Sequence, residues 1–230
     1  MEIILDKQKF MKMEMSNNLK INKMKHLIIL YIMIICFGYT KAQTIKEVKI
    51  GKQIWMVENL NVDKFLNGDS IPEAKTNEEW RKAGDDGKPV WCYNNNDFTN
   101  GKKYGKLYNW YAVNDDRGLA PKDWEIPSDE DWSIMVNFLG GELLAGKKLK
   151  FNNFWTDFDG KSGNGDNESG FAGLPGGARL FKGTFFHIGE DGFWWNSSEL
   201  TRGLNFADES VNHGFNSDRS AGYSVRCIKK

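Results

Sequence analysis

The 230-residue chain balances 31 basic against 31 acidic residues and carries nine Trp and 24 Gly, with 13% aromatic side chains. So many aromatics exclude a disordered chain, because that much apolar surface collapses into a core. The balanced charge gives phosphate no positive field, which argues against nucleic-acid binding. Three Cys are too few for a disulfide-stapled miniprotein.

The first strong feature is Leu27 to Phe37, an unbroken apolar run behind Lys23, Lys25 and His26 that stays uncharged to Thr40. Its 14 uncharged residues fall short of the roughly 20 needed to span a bilayer. Thr40-Lys41-Ala42 then offers a small-x-small exit before Gln43. This pattern predicts a secretory signal peptide cleaved near Ala42/Gln43, and hence a secreted or cell-surface protein. Ile35 precedes Cys36 where lipid attachment needs a small residue, so a lipoprotein is not expected. Residues 1–23 have no apolar periodicity, and Met24-Lys25 is the more ordinary signal-peptide start. The expected organisation is therefore an extension plus signal over 1–42 and one domain over 43–230. Residues 1–42 hold seven Lys against three acids, leaving 24 basic and 28 acidic residues and a net charge of −4 beyond them. No transmembrane helix is expected in that remainder.

Thr44–Ile50 alternates apolar and polar, and Gly51-Lys52 turns it into Gln53–Val57, which predicts a hairpin. Thr76 with Glu79 forms a capping box for a short helix that Gly84 stops. Val90–Tyr93 resumes as a strand. Tyr104, Leu107, Tyr108 and Tyr111 fall at i, i+3, i+4 and i+7, predicting a helix through 104–113. Trp132, Met135, Val136 and Leu139 repeat that spacing, with Ser128 and Asp131 as cap and Gly140-Gly141 as stop. Residues 152–170 are polar and Gly-rich, and predict a loop. From Phe171 onward, short apolar runs broken by Gly predict antiparallel strands. Two consecutive helices packed on a twisted, loop-rich antiparallel sheet make an α+β fold. No internal repeat or linker divides it.

Motifs for familiar chemistry are missing. There is no HExxH, no paired Cys at zinc spacing, no G-x-S-x-G elbow, no Walker loop and no dinucleotide fingerprint. Cys92 has no His nearby in sequence, and Asp115-Asp116 reads as a solvated turn. Asn167-Glu168-Ser169 and Asn196-Ser197-Ser198 match the N-glycosylation sequon, a pattern common by chance. Within Asp157–Glu168, the acids Asp157, Asp159, Asp166 and Glu168 on a flexible loop suit calcium, although Lys161 and Ser162 exclude an EF-hand. The alternative is a solvated loop of Asx turns. Trp194 and Trp195 offer either a sugar-stacking or protein-binding surface, or core, since strand alternation sends one of an adjacent pair inward. Cys92 and Cys227, in the strand-like strings VWCY and SVRCI, form an even pair in a chain bound for an oxidising compartment, and are the disulfide candidate.

Eight strings occur in order: IGKQIWMVENL (50–60), YGKLYNWYAV (104–113), LAPKDWEIPSDEDW (119–132), LGG (139–141), AGKKLK (145–150), NESGFAGLPGGAR (167–179), GFWWNSSE (192–199) and GYSVRCIK (222–229). Together they resemble the Fibrobacter succinogenes major paralogous domain family, found in secreted and surface proteins of Bacteroidota-type bacteria. The resemblance implies a fold similar to C-type lectin-like domains and formylglycine-generating enzymes. It implies that no catalytic activity is established for such chains, and makes Trp194, Trp195, Gly176, Gly177, Arg179 and Arg226 fold determinants. The family often reads C-P-x-G-W-H where this chain has Ala120-Pro121-Lys122-Asp123-Trp124-Glu125, so thiol and imidazole chemistry is lost there. If the family's bridge uses that missing Cys, Cys92 and Cys227 are two free thiols instead. The calcium-lectin signatures E-P-N, Q-P-D and W-N-D are also missing.

The expected function is a secreted or surface-exposed, non-enzymatic binding module for an extracellular glycan or protein, with calcium a possible ligand and nucleic acid excluded. The alternatives are a structural surface-layer or adhesin component, and an oxidase similar to formylglycine-generating enzymes, which would need a reactive cysteine pair.

Overall fold

The structure is a computed structural model that describes residues 11–15, 19–26, 45–214 and 218–230. Contacts divide the chain into two compact units, Met1–Thr44 and Ile45–Lys230. In the first unit residues 11–15 and 19–26 are helical. The apolar run assigned to a signal peptide, with its cleavage point, lies outside the described residues. No helix among the described residues is long and apolar enough to cross a membrane.

The second unit mixes helices with antiparallel sheets. It opens with the expected hairpin, β1 (Glu47–Ile50) and β2 (Gln53–Met56), in a register that pairs Val48 with Trp55 and Ile50 with Gln53. Helix α1 (Asn77–Asp85) starts at the expected capping box, the Glu79 N–H donating to Thr76 Oγ1 at 3.1 Å and the Thr76 N–H to Glu79 Oε2 at 3.1 Å. Strand β3 (Trp91–Cys92), α2 (Phe98–Tyr104), β4 (Leu107–Tyr108) and the single turn α3 (Trp110–Val113) follow. Strand β5 (Trp124–Glu125) leads into α4 (Asp129–Phe138) and α5 (Glu142–Leu149). Short strands complete the chain: β6 (Ala178–Arg179), β7 (Phe185–Phe186), β8 (Asp191–Trp195), β9 (Thr201–Asn205), β10 (Val211–His213) and β11 (Ile228–Lys229). Strand order is β1-β2-β11-β5 in the largest sheet and β10-β9-β8 in the next, with β3-β4 and β6-β7 as two-stranded pieces.

The helix expected over 104–113 does not form. Tyr104 ends α2, Gly105 takes φ +78°, Leu107–Tyr108 pairs with β3, and Asn109 then caps α3. A Cβ at Gly105 would sit 2.9 Å from Asn59 Cβ and 3.0 Å from the Leu60 carbonyl oxygen, so the chain passes there only as glycine. The helical spacing of apolar residues is coincidental, because nearly the whole segment is buried and no one-sided stripe exists. Helices α2 and α5 have no counterpart among the three helices expected from the sequence, so this unit holds five among its described residues, of which α4 and α5 follow one another directly. In α5 a Cβ on Gly146 would meet the Glu209 and Ser210 carbonyl oxygens at 2.4 Å, which lets the helix lie directly on backbone.

Two large cores lie on either side of β8. One packs Trp132, Met135 and Val136 of α4 and Ala145 and Leu149 of α5 against Trp55, Phe171, Trp194 and Leu204. The other gathers Met56, Tyr108, Trp110, Trp124, Trp195 and Val225. A third, smaller cluster holds Trp80, Val90, Cys92 and Leu107. Each fully buried large side chain stabilises the fold by about 1.5–3 kcal/mol. Two buried guanidiniums tie the layers. Arg226 donates to Asn59 Oδ1 from Nε (2.9 Å) and Nη2 (2.6 Å) and to the Met56 and Phe171 carbonyls, and burial pushes it down to about 9, which leaves it charged near neutral pH. Arg179 donates to Gly183, Ala74 and Thr76 carbonyls between the faces of Trp80 and Phe185. This is the fold-determining role expected of both residues.

Candidate functional site: a polar groove between loops

The 152–170 loop is irregular as expected, with one isolated bridge between Phe158 and Lys161. Its four acids do not form a calcium cage. Asp157, Asp159, Asp166 and Glu168 are all exposed, and among the described residues no three His, Cys, Asp or Glu side chains converge as a metal site. Asp166 instead closes an Asx turn, its Oδ1 accepting from the Glu168 N–H at 2.9 Å, while Glu168 pairs with Lys148 at 3.6 Å. The calcium expectation is corrected accordingly.

Trp194 and Trp195 are corrected as well, because both are 0% exposed. Alternation along β8 does point them oppositely, but both faces of the strand are covered, so each enters a different core. Their Nε1 atoms donate inward, to Asn59 Oδ1 at 2.8 Å and the Tyr108 carbonyl at 2.9 Å. No ring face is left for a ligand.

Cys92 and Cys227 are free thiols, not a disulfide. They sit in separate clusters, Cys92 on β3, which pairs with β4, and Cys227 ahead of β11, which lies between β2 and β5. Burial pushes both thiols up to about 12, so neither supplies thiolate near neutral pH. His187 Nδ1 lies 2.5 Å from Asp191 Oδ2, the orienting half of an acid–base pair, but among the described residues no hydroxyl or thiol hydrogen-bonds to His187. The sequon at Asn196 is closed too. Asn196 is buried, donates to Asp129 Oδ1 at 3.1 Å, and accepts from the Ser198 and Leu200 N–H groups.

What the loops do build is a cavity of about 750 Å³. Its walls come from the loop at Gly87 and Pro89, the first two residues of α3 with the turn that follows the helix, the β8–β9 turn, and Arg219. Local chemistry sets each wall. Asn109 Oδ1 caps α3 through the Ala112 N–H at 3.1 Å, presenting Trp110 and Tyr111. Asp115 Oδ1 accepts the Arg117 N–H at 3.0 Å, an Asx turn. Glu199, at φ +63°, ends the turn that buried Asn196 holds from within. The Trp110 N–H donates to the Arg219 carbonyl at 2.9 Å and fastens the last wall to α3.

Two forked ion pairs stiffen the groove. Arg117 donates from Nε and Nη2 to both oxygens of Asp115, each at 2.8 Å, and reaches Asp69 with Nη1 at 3.3 Å. Arg219 donates from Nε and Nη2 to Glu199 at 2.6 and 2.7 Å. Hydrogen bonding to the guanidiniums holds the Asp115 and Glu199 carboxyls below the usual carboxylate range. With those four side chains occupied, the lining keeps the Tyr111, Ser197 and Ser198 hydroxyls, the Asn114 amide and the Asp116 carboxylate without a side-chain hydrogen bond among the described residues. Sequence reasoning missed this site because its walls lie far apart along the chain and share no motif. Asp115-Asp116, read as a solvated turn, is half of one: Asp116 is exposed and Asp115 is clamped.

No curated protein and no solved structure matches the chain. The model of the Fibrobacter succinogenes major domain matches residues 48–229, which span β1 to β11 except the first residue of β1, helices α1 to α5 and every groove wall. The chain therefore belongs to the Fibrobacter succinogenes major domain family.

Proposed function

We propose that the protein is a non-enzymatic binding module, secreted or exposed at the cell surface, that takes its ligand in the groove between the loops. The observation that carries this reading is the groove itself, a concave site whose hydroxyls and amide make no side-chain hydrogen bond among the described residues, on a frame stiffened by two forked ion pairs. The burial of both thiols speaks against the oxidase alternative, which would need a reactive cysteine pair. The reading includes a C-type lectin-like arrangement, supported by the consecutive α4 and α5 and by the loop-rich antiparallel sheets. No metal ion or cofactor belongs to it. Export rests on the sequence of residues 27–42.

A second reading, a structural surface component, is favoured by Ile134, Phe138, Leu143 and Leu144, apolar side chains left exposed on α4 and α5. A glycan and protein array separates the two readings. Binding that Tyr111→Ala abolishes supports the groove module, whereas binding that survives it places the contact surface elsewhere. Self-association lost in Phe138→Ser, with silent arrays, supports the structural component.

A further inference from the structure

The polar groups left free in the groove specify a ligand more narrowly than "extracellular glycan or protein". We propose that the groove takes an uncharged, hydroxyl-rich ligand, a neutral oligosaccharide, a reading that rests on the groove being the binding site. The lining holds three acids, Asp115, Asp116 and Glu199, against two bases, Arg117 and Arg219. All but Asp116 are already committed to one another or, for Arg117, also to Asp69.

That pairing decides against charged ligands. Arg117 uses Nε, Nη1 and Nη2 on carboxylates, and Arg219 uses Nε and Nη2. A ligand carboxylate or phosphate gripping either guanidinium through its Nε–Nη2 fork would have to displace Asp115 or Glu199, leaving an unpaired negative charge beside the incoming one. A ligand ammonium would find, among the described residues, one carboxylate without an ion pair, Asp116, in a lining that also holds two guanidiniums. Hydroxyl groups meet neither penalty, since each both donates and accepts. They match what remains open among the described residues: the Tyr111, Ser197 and Ser198 hydroxyls, both ends of the Asn114 amide, and Asp116 as acceptor. The half-buried Tyr111 ring adds an apolar edge for sugar C–H groups. A cavity of about 750 Å³ accommodates more than one sugar ring, so an oligomer is expected to bind more tightly than a monosaccharide.

The test uses protein NMR with three probe sets: neutral gluco-, xylo- and manno-oligosaccharides, oligogalacturonates, and chitosan oligomers. The Asn114 side-chain amide and the Tyr111 ring report on the groove. A neutral set should shift both signals, and Tyr111→Phe and Asn114→Ala should each weaken binding about five- to tenfold, as expected for one lost hydrogen bond. Raising salt from about 0.05 to about 0.5 M should change that affinity less than about twofold, because no ion pair forms with the ligand. Oligogalacturonate or chitosan binding in the groove, steep in salt, would overturn the neutral ligand while leaving the groove as the site. Groove signals unmoved by every set would overturn the oligosaccharide, and a protein array silent as well would overturn the groove reading with it.

Discussion

Arg179→Lys tests whether guanidinium geometry, not charge alone, holds the fold. Arg179 is wholly buried, and its fork reaches four acceptors: the Gly183 carbonyl at 3.0 Å, the Ala74 and Thr76 carbonyls at 2.9 Å each, and Asn77 Oδ1 at 3.2 Å. Its plane lies 4.8 Å from the Trp80 ring centre and 4.6 Å from that of Phe185. Lysine keeps the buried charge, so the penalty for desolvating a cation stays. Only the geometry changes, from a planar fork to a point. An ammonium in that place satisfies about two of the four acceptors. Two oxygens left without partners cost about 1–3 kcal/mol each, and weaker stacking on two rings adds about 1 kcal/mol. The expected loss is about 4 kcal/mol against a stability of about 5–15 kcal/mol, equivalent to about 8–16 °C in Tm for a domain this size. Urea unfolding followed by tryptophan fluorescence measures it, with the exposed Arg81→Lys as a control that should stay within about 0.5 kcal/mol. A loss under about 1 kcal/mol at Arg179 would refute the reasoning.

Three further outcomes follow from the same structure. Alkylating reagent at about pH 8 should leave Cys92 and Cys227 untouched in the folded protein and label both after unfolding without reductant, since burial raises both thiols to about 12; an unlabelled pair in the unfolded mass spectrum would mean a bridge. Asp115 and Glu199 have depressed folded values, so their contribution is complete above the ordinary carboxylate range and is lost as pH falls through the folded values. The urea midpoint should accordingly stay flat on this account from about pH 8 to about pH 5, and the double variant Asp115→Asn with Glu199→Gln should lose part of the decline seen below about pH 4. Millimolar calcium should leave Tm within about 1 °C of its value in chelator, because the four acids of the 152–170 loop do not converge; a rise of several degrees that Asp157→Ala removes would restore the metal site.

Where sequence and structure agree, the signal is local. The β1–β2 hairpin, α1 and α4 each carry their own start and stop: Gly51 in the turn, Thr76 with Glu79, and Ser128 with Asp131 ahead of Gly140-Gly141. Residues within a few positions of each other decide these elements, and tertiary packing only confirms them. The 104–113 segment fails for the opposite reason. Its helical spacing is real, but residues on nearly every side of it are buried, and what breaks it is the close approach of Asn59 and Leu60, some 45 positions earlier. Helix α5 hides its periodicity, since it exposes Leu143 and Leu144 while burying Ala145 and Gly146.

The same contrast between local and distant contacts governs function. All nine Trp are buried, as are both Cys of this unit and the guanidiniums of Arg179, Arg202 and Arg226. Residue types that ordinarily mark binding or catalysis are here interior material, because β8 is covered on both faces and the two cores it separates both need large side chains. Aromatic content therefore pointed away from the surface. The groove is assembled from Tyr, Asn, Ser, Asp and Arg in short turns, types that any solvated loop contains. What distinguishes them is pairing across long sequence separations: Arg219 with Glu199, Arg117 with Asp69, and the Arg219 carbonyl with the Trp110 N–H. The two that involve Arg219 exist only once the 218–220 segment has been laid against α3, beside the place where Tyr108 and Tyr223 exchange backbone hydrogen bonds. A substitution that loosened this Tyr108–Tyr223 bridge would disturb the groove without touching one lining side chain, so the site depends on a long-range backbone pairing outside it.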